Sequence, residues 1–168
     1  MYRKTKYLLL VWAIFCLVSV SCSSEKGRVK IGSFSVVPPA GWDVRATPGA
    51  EYDIIVAPMN QGFGATISFS DGTFSGDFRE YMDTLFRVYE TSTTDFLNAY
   101  QSSFTTDSSL EGQKFVMVTT QQGMKNKLAM YFIKTSKDKY ISIYCVATEN
   151  SFDQCSQPFE ATARSFKK

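Results

Sequence analysis

Residues 112–148 read GQKFVMVTTQQGMKNKLAMYFIKTSKDKYISIYCVAT and contain three strands, at about 112–121, 128–135 and 140–148. Each is rich in the β-branched and aromatic residues that suit a pleated, half-buried surface. The links between them, Gln122-Gly123 and Ser136-Lys137-Asp138-Lys139, are short and carry turn chemistry. A parallel crossover needs roughly a dozen residues, so links this short make antiparallel neighbours.

Upstream, a further strand at 98–106 joins through Leu110-Glu111-Gly112. Before it the period changes. Phe78, Met82, Leu85 and Val88 recur every three to four residues, which predicts an amphipathic helix from 77 to about 89. Asp77, with Glu80 three residues on, has the form of a capping box, and Thr91-Ser92-Thr93-Thr94 predicts fraying at the far end. Two β-rich runs, 52–57 and 65–70, flank Pro58-Met59-Asn60-Gln61-Gly62 and predict a hairpin. Residues 29–37 alternate as one strand, with Ile31, Ser33, Ser35 and Val37 on one side and Phe34 and Val36 on the other. Pro38-Pro39-Ala40-Gly41 then ends it. Downstream, Phe152, Cys155, Phe159, Ala163 and Phe166 trace one side of a closing helix.

The front segment Phe34-Ser35-Val36-Val37-Pro38-Pro39-Ala40-Gly41-Trp42, with Tyr140-Ile141-Ser142-Ile143, Phe152 and Ser165-Phe166 at the end, resembles the PsbP-like superfamily over residues 29–168. That superfamily includes photosynthetic PsbP proteins, Ran-binding import factors and DcrB-type bacterial lipoproteins. The resemblance implies an α+β fold, an α/β/α sandwich whose antiparallel sheet of about six to seven strands is flanked by two main helices. It also implies a binding or assembly role, and it carries no catalytic constellation to any position here.

The N-terminal region is an address. Arg3, Lys4 and Lys6 precede a 14-residue apolar run from Tyr7 to Val20, the layout of an export signal and too short to span a bilayer. Ser19-Val20-Ser21-Cys22 resembles a lipobox, with Ser19 where Leu is usual; the alternative is a secreted chain in which Cys22 is incidental. The expected organisation is a lipoprotein signal peptide at 1–21, a lipidated tether at 22–28 and a globular domain at 29–168. Such a tether reaches at most ~25 Å and holds the domain near its membrane. Loss of three cations with the signal takes the net charge from +2 to −1. No basic stripe remains, so nucleic acid is not an expected partner.

Cys145 and Cys155 then form an even pair in an oxidising compartment, either bridged or serving as two small core residues. There is no histidine, which removes Ser-His-Asp and Cys-His catalysis and histidine zinc sites. Ser-x-x-Lys occurs three times, always in an expected tether, turn or tail, and has no companion motif. The run from Asp71 to Asp77 begins like a calcium loop but has Met82 in place of the closing glutamate. No cofactor, metal or enzymatic activity is expected.

Aromatics crowd the middle third. Tyr81, Phe86 and Tyr89 fall partly off the apolar stripe and, with Trp42, are the candidate binding surface; the bland alternative is packing. The expected function is a membrane-anchored bacterial lipoprotein acting as a non-catalytic interaction or assembly module of the cell envelope. It would hold the bilayer through acylated Cys22 and engage an envelope protein. The competing expectation is a carrier or sensor of a small apolar or lipidic ligand, held between helix and sheet.

Overall fold

The computed structural model describes residues 27–58, 64–92, 97–121 and 124–168. The expected signal peptide, Cys22 and the tether up to residue 26 lie outside them, as do most of the 58–62 turn and residues 93–94 of the expected frayed end.

Among the described residues the chain forms nine strands and two helices. In order they are β1 (Val29–Ile31), β2 (Phe34–Val36), β3 (Asp43–Arg45), β4 (Ile54–Val56), β5 (Thr66–Thr73), α1 (Phe78–Ser92), β6 (Leu97–Thr105), β7 (Glu111–Gln121), β8 (Met124–Lys134), β9 (Lys139–Thr148) and α2 (Glu149–Arg164). Seven strands make one sheet in the order β3-β4-β5-β9-β8-β7-β6, and every neighbouring pair is antiparallel. The three strands of residues 112–148 are its centre and one flank. This is the expected α+β architecture.

Both faces of the sheet are covered, which makes a three-layer sandwich. Cross-strand partners share a face, so Ile67 and Cys145, Phe69 and Ile143, and Ala129 and Cys145 line one side. Phe152, Cys155, Phe159 and Ala163 of α2 bury that side, together with Phe166. The opposite face carries Phe115, Met117, Met130 and Phe132, which α1 covers with Phe78 and Met82. The sheet therefore has a separate apolar core on each side.

The segment 29–37 is corrected by the structure. It forms two strands, not one: β1 and β2 pair as a hairpin, Val29 with Val36 and Ile31 with Phe34, around Gly32-Ser33. Gly32 has φ +57°, and a type II′ hairpin turn needs a left-handed residue at that first loop position. The reversal brings Ile31, Phe34 and Val36 into one core and abolishes the expected alternation. The C-terminal segment adds to the hairpin. Ser35 N–H donates to the Lys167 carbonyl at 2.8 Å and Lys167 N–H to Ser35 at 2.9 Å. The Arg28 guanidinium donates to the Ser165 carbonyl at 2.7 Å.

Strand β3 was not legible in the sequence, because its three residues are all exposed and show no buried alternation. Helix α1 begins as expected: the Asp77 carboxylate accepts from the N–H groups of Arg79 and Glu80 at 2.9 and 3.1 Å. It runs on to Ser92, and Thr91 Oγ1 donates to the Arg87 carbonyl at 2.8 Å, within the helix instead of against it.

Candidate functional site

Two places on the fold concentrate chemistry. The first is the seam between α1 and the sheet. Helical spacing puts Phe78 and Met82 into the core and leaves Tyr81, Phe86 and Tyr89 half-buried beside them, Phe86 on the flank toward β7 and the two tyrosines on the flank toward β9. Phe86 packs edge-on against Phe115, with ring centroids 5.0 Å apart. Tyr81 lies 6.2 Å from Tyr140 of β9 and shares a hydrogen bond with it, as Tyr89 does with Tyr144. Burial, then the neighbouring Tyr81 phenol, pushes Tyr140 up to about 12; burial, then Tyr144, raises Tyr89. The Tyr89 and Tyr140 phenols therefore stay neutral well above physiological pH. They offer donors and acceptors on an aromatic surface, and not acid/base groups.

Trp42 does not join them. It is half-buried on the opposite side of the sheet, where its ring meets Phe159 of α2 edge-on at 5.9 Å. The four expected surface residues are thus divided between the two faces, and each is engaged in packing.

The second place is a cleft of about 550 Å³ between α2 and the β6–β7 edge, lined by Tyr100, Lys114, Ser156, Gln157, Glu160, Ala161 and Arg164. Glu160 is its hub. Lys114 Nζ lies 2.8 Å from its carboxylate and Arg164 lies 2.9 Å from it, while Arg164 also donates to the Thr105 carbonyl at 3.2 Å. The hydrogen bond from Lys114 holds the Glu160 carboxyl below its usual range; burial opposes this and Arg164 reinforces it. Lys114 Nζ stands 5.4 Å above the ring of Tyr131, which is fully buried and whose hydroxyl has no hydrogen-bond partner among the described residues. Burial raises that phenol strongly, and Glu160 and Tyr100 act in the same direction.

The cleft was not anticipated. Only the i,i+4 spacing of Glu160 and Arg164 marked it in the sequence, and such pairs are common on exposed helix faces. Both cations pair with the one carboxylate and leave a net charge of +1, an arrangement that suits holding α2 to the sheet more than proton transfer. No residue of α1 lines this cleft.

Cys145 and Cys155 are both buried and are free thiols, not a bridge, in this structure. Burial pushes both thiols up, which disfavours the reactive thiolate. Asp77, from the calcium-like run, is the helix cap. Among the described residues no group of three or more Cys, Asp or Glu is placed to hold a metal ion, and no helix is long and apolar enough to cross a membrane.

No protein-family model and no curated protein matches the sequence. Solved structures do match the fold. LpqN of Mycobacterium tuberculosis, described as involved in cell envelope biogenesis, aligns with a TM-score of 0.61 at 13% identity, covering 80% of this chain and 82% of LpqN. PA94, a Pseudomonas aeruginosa protein of unknown function, gives 0.53 at 12% identity, covering 74% and 94%. The cyanobacterial PsbP of Synechocystis sp. PCC 6803 gives 0.52 at 14% identity, covering 88% and 96%. At such identities the likeness is one of fold alone. The chain has the PsbP-like fold.

Proposed function

We propose that the protein is a non-catalytic interaction module of the bacterial cell envelope, tethered to a membrane through acylated Cys22. The observation that carries the reading is Ser19-Val20-Ser21-Cys22 directly behind an apolar run with a basic start, followed by a short polar segment. The fold supports it: LpqN, with the same architecture, is described as involved in cell envelope biogenesis. The chemistry of the site supports it too. The strongest charge cluster is mutually paired, the buried thiols and phenols are held protonated, and the chain contains no histidine. The aromatic margin of α1 would then be a docking surface for an envelope protein.

Cross-linking in intact cells followed by mass spectrometry tests the reading. The expected result is links from the α1 margin to one envelope protein, lost when Tyr81 and Tyr89 are both replaced by serine in a chain that still folds. Links confined to cytosolic proteins would contradict it.

A further inference from the structure

The seven-stranded sheet ends in β3 on one side and β6 on the other. Unpaired edges template the addition of further strands, and proteins blunt them with short length, charge or proline. Strand β3 is blunted: it is three residues long and carries Asp43 and Arg45. Strand β6 is nine residues long, LNAYQSSFT, with neither charge nor proline. Tyr100 on it is 50% exposed, and Ser102, Ser103 and Thr105 are exposed as well.

The backbone of β6 shows which groups are unused. Thr106 N–H donates to the Leu110 carbonyl where β6 turns into β7. In an antiparallel ladder the polar backbone alternates sides. Phe104 and Ser102 therefore turn theirs toward β7, while Thr105, Ser103 and Gln101 turn theirs outward. Arg164 already occupies the outward Thr105 carbonyl at 3.2 Å. Among the described residues, no element reaches the outward backbone of Gln101 or Ser103.

The flank beside this edge is self-complementary in charge. Two exposed residues of α1 lean over β6: Asp83 accepts from Gln101 Nε2 at 2.7 Å, and Arg79 donates to Ser103 Oγ at 3.0 Å. Gln113 of β7 joins the two, donating to Ser103 Oγ at 2.9 Å and accepting from Gln101 at 3.3 Å. An anion thus sits above Gln101 and a cation above Ser103.

We propose that two copies of this chain pair their β6 strands antiparallel about a two-fold axis at Ser102, joining their sheets into one. In that register Gln101 faces Ser103 of the second copy, and the reverse, so four backbone hydrogen bonds close across the axis. Asp83 of each copy meets Arg79 of the other. Tyr100 faces Phe104, an aromatic cross-strand pair on the α2 side. A register centred on Gln101 would instead set Asp83 against Asp83, and one centred on Ser103 would set Arg79 against Arg79. Charge therefore selects the axis. Ser102 pairs with its own copy at a non-hydrogen-bonded position, where Cα atoms stand about 4.5 Å apart, within reach of a disulfide.

The test uses the chain as cells produce it. With Ser102→Cys, mild oxidation should give a disulfide-linked dimer on a non-reducing gel, absent from the parent chain, while Gln101→Cys should not link to itself. In mild detergent, sedimentation should show Arg79→Asp and Asp83→Arg each weakening dimerisation about tenfold, and the two together restoring it to within about threefold. Far-UV circular dichroism confirms that each variant folds. A folded Ser102→Cys chain that stays monomeric, a self-linked Gln101→Cys chain, or a double exchange as weak as the single ones would each overturn the proposal. A β6 edge filled by a peptide of another protein would give the first of these results.

Discussion

Tyr131 and Glu160 are the residues whose chemistry most departs from their surroundings. The Tyr131 hydroxyl is buried without a partner among the described residues, and an unsatisfied buried polar group costs roughly 1–3 kcal/mol of desolvation. Tyr131→Phe removes the cost and keeps the ring that Phe104 meets edge-on at 5.5 Å. Urea denaturation should therefore find the variant as stable as the parent or up to about 1 kcal/mol more so; a loss above about 1 kcal/mol would reveal a partner. Glu160 has a lowered pKa when folded, so its contribution to stability is complete above the ordinary carboxylate pKa of about 4.3 and is lost as pH falls through the folded value. Glu160→Gln should accordingly be less stable than the parent at pH 7, and the gap should close as acid is added below about pH 4. A gap that is constant with pH would contradict the lowered value. None of this could be read from the sequence: Lys114 and Glu160 lie far apart along the chain, and no periodic pattern joins them.

Among the elements, two glycines in strand interiors explain how aromatic rings are seated. Gly72 faces Tyr140 across β5 and β9, and Gly112 faces Phe104 across β6 and β7. In both places the ring lies over the glycine, so that an added Cβ would collide with it. Gly72→Ala and Gly112→Ala should each cost about 1–3 kcal/mol, measured by denaturant midpoint. Equal stability would mean that the rings move freely. At the helix, Asp77→Ala should cost about 1 kcal/mol through loss of the cap, because two N–H groups then lose their acceptor. The sequence marked α1 and its cap well, since period and capping chemistry are local. It failed at residues 29–37, where both a strand and a hairpin satisfy the apolar pattern and only the φ of Gly32 decides between them. It also missed β3, whose three exposed residues owe their conformation to pairing with β4.

For the whole molecule, the two faces of one antiparallel sheet are closed differently. The α2 face is sealed by the helix, the β1–β2 hairpin and the C-terminal residues, with Phe34 stacked on Phe166 at 5.0 Å. The α1 face is covered, among the described residues, by that helix, and the tyrosines on its β9 flank are where an envelope protein is proposed to dock. Antiparallel pairing and the two-helix cover were legible because short links and clean periods constrain topology. The division of Trp42 from Tyr81, Phe86 and Tyr89 was not, because the face a residue occupies depends on the register of distant strands. In the proposed arrangement self-pairing uses Arg79 and Asp83 on the β6 flank of α1 and would leave Tyr81 and Tyr89, on its β9 flank, available.

The central claim is the tether, and the mass of the N-terminal peptide recovered from cell membranes tests it most directly. The account predicts a chain that begins at Cys22 and carries acyl mass on its sulfur, and release of the protein from the membrane fraction when Cys22 is replaced by serine. A polypeptide found in the cytosol that begins at Met1, with an unmodified Cys22, would contradict it.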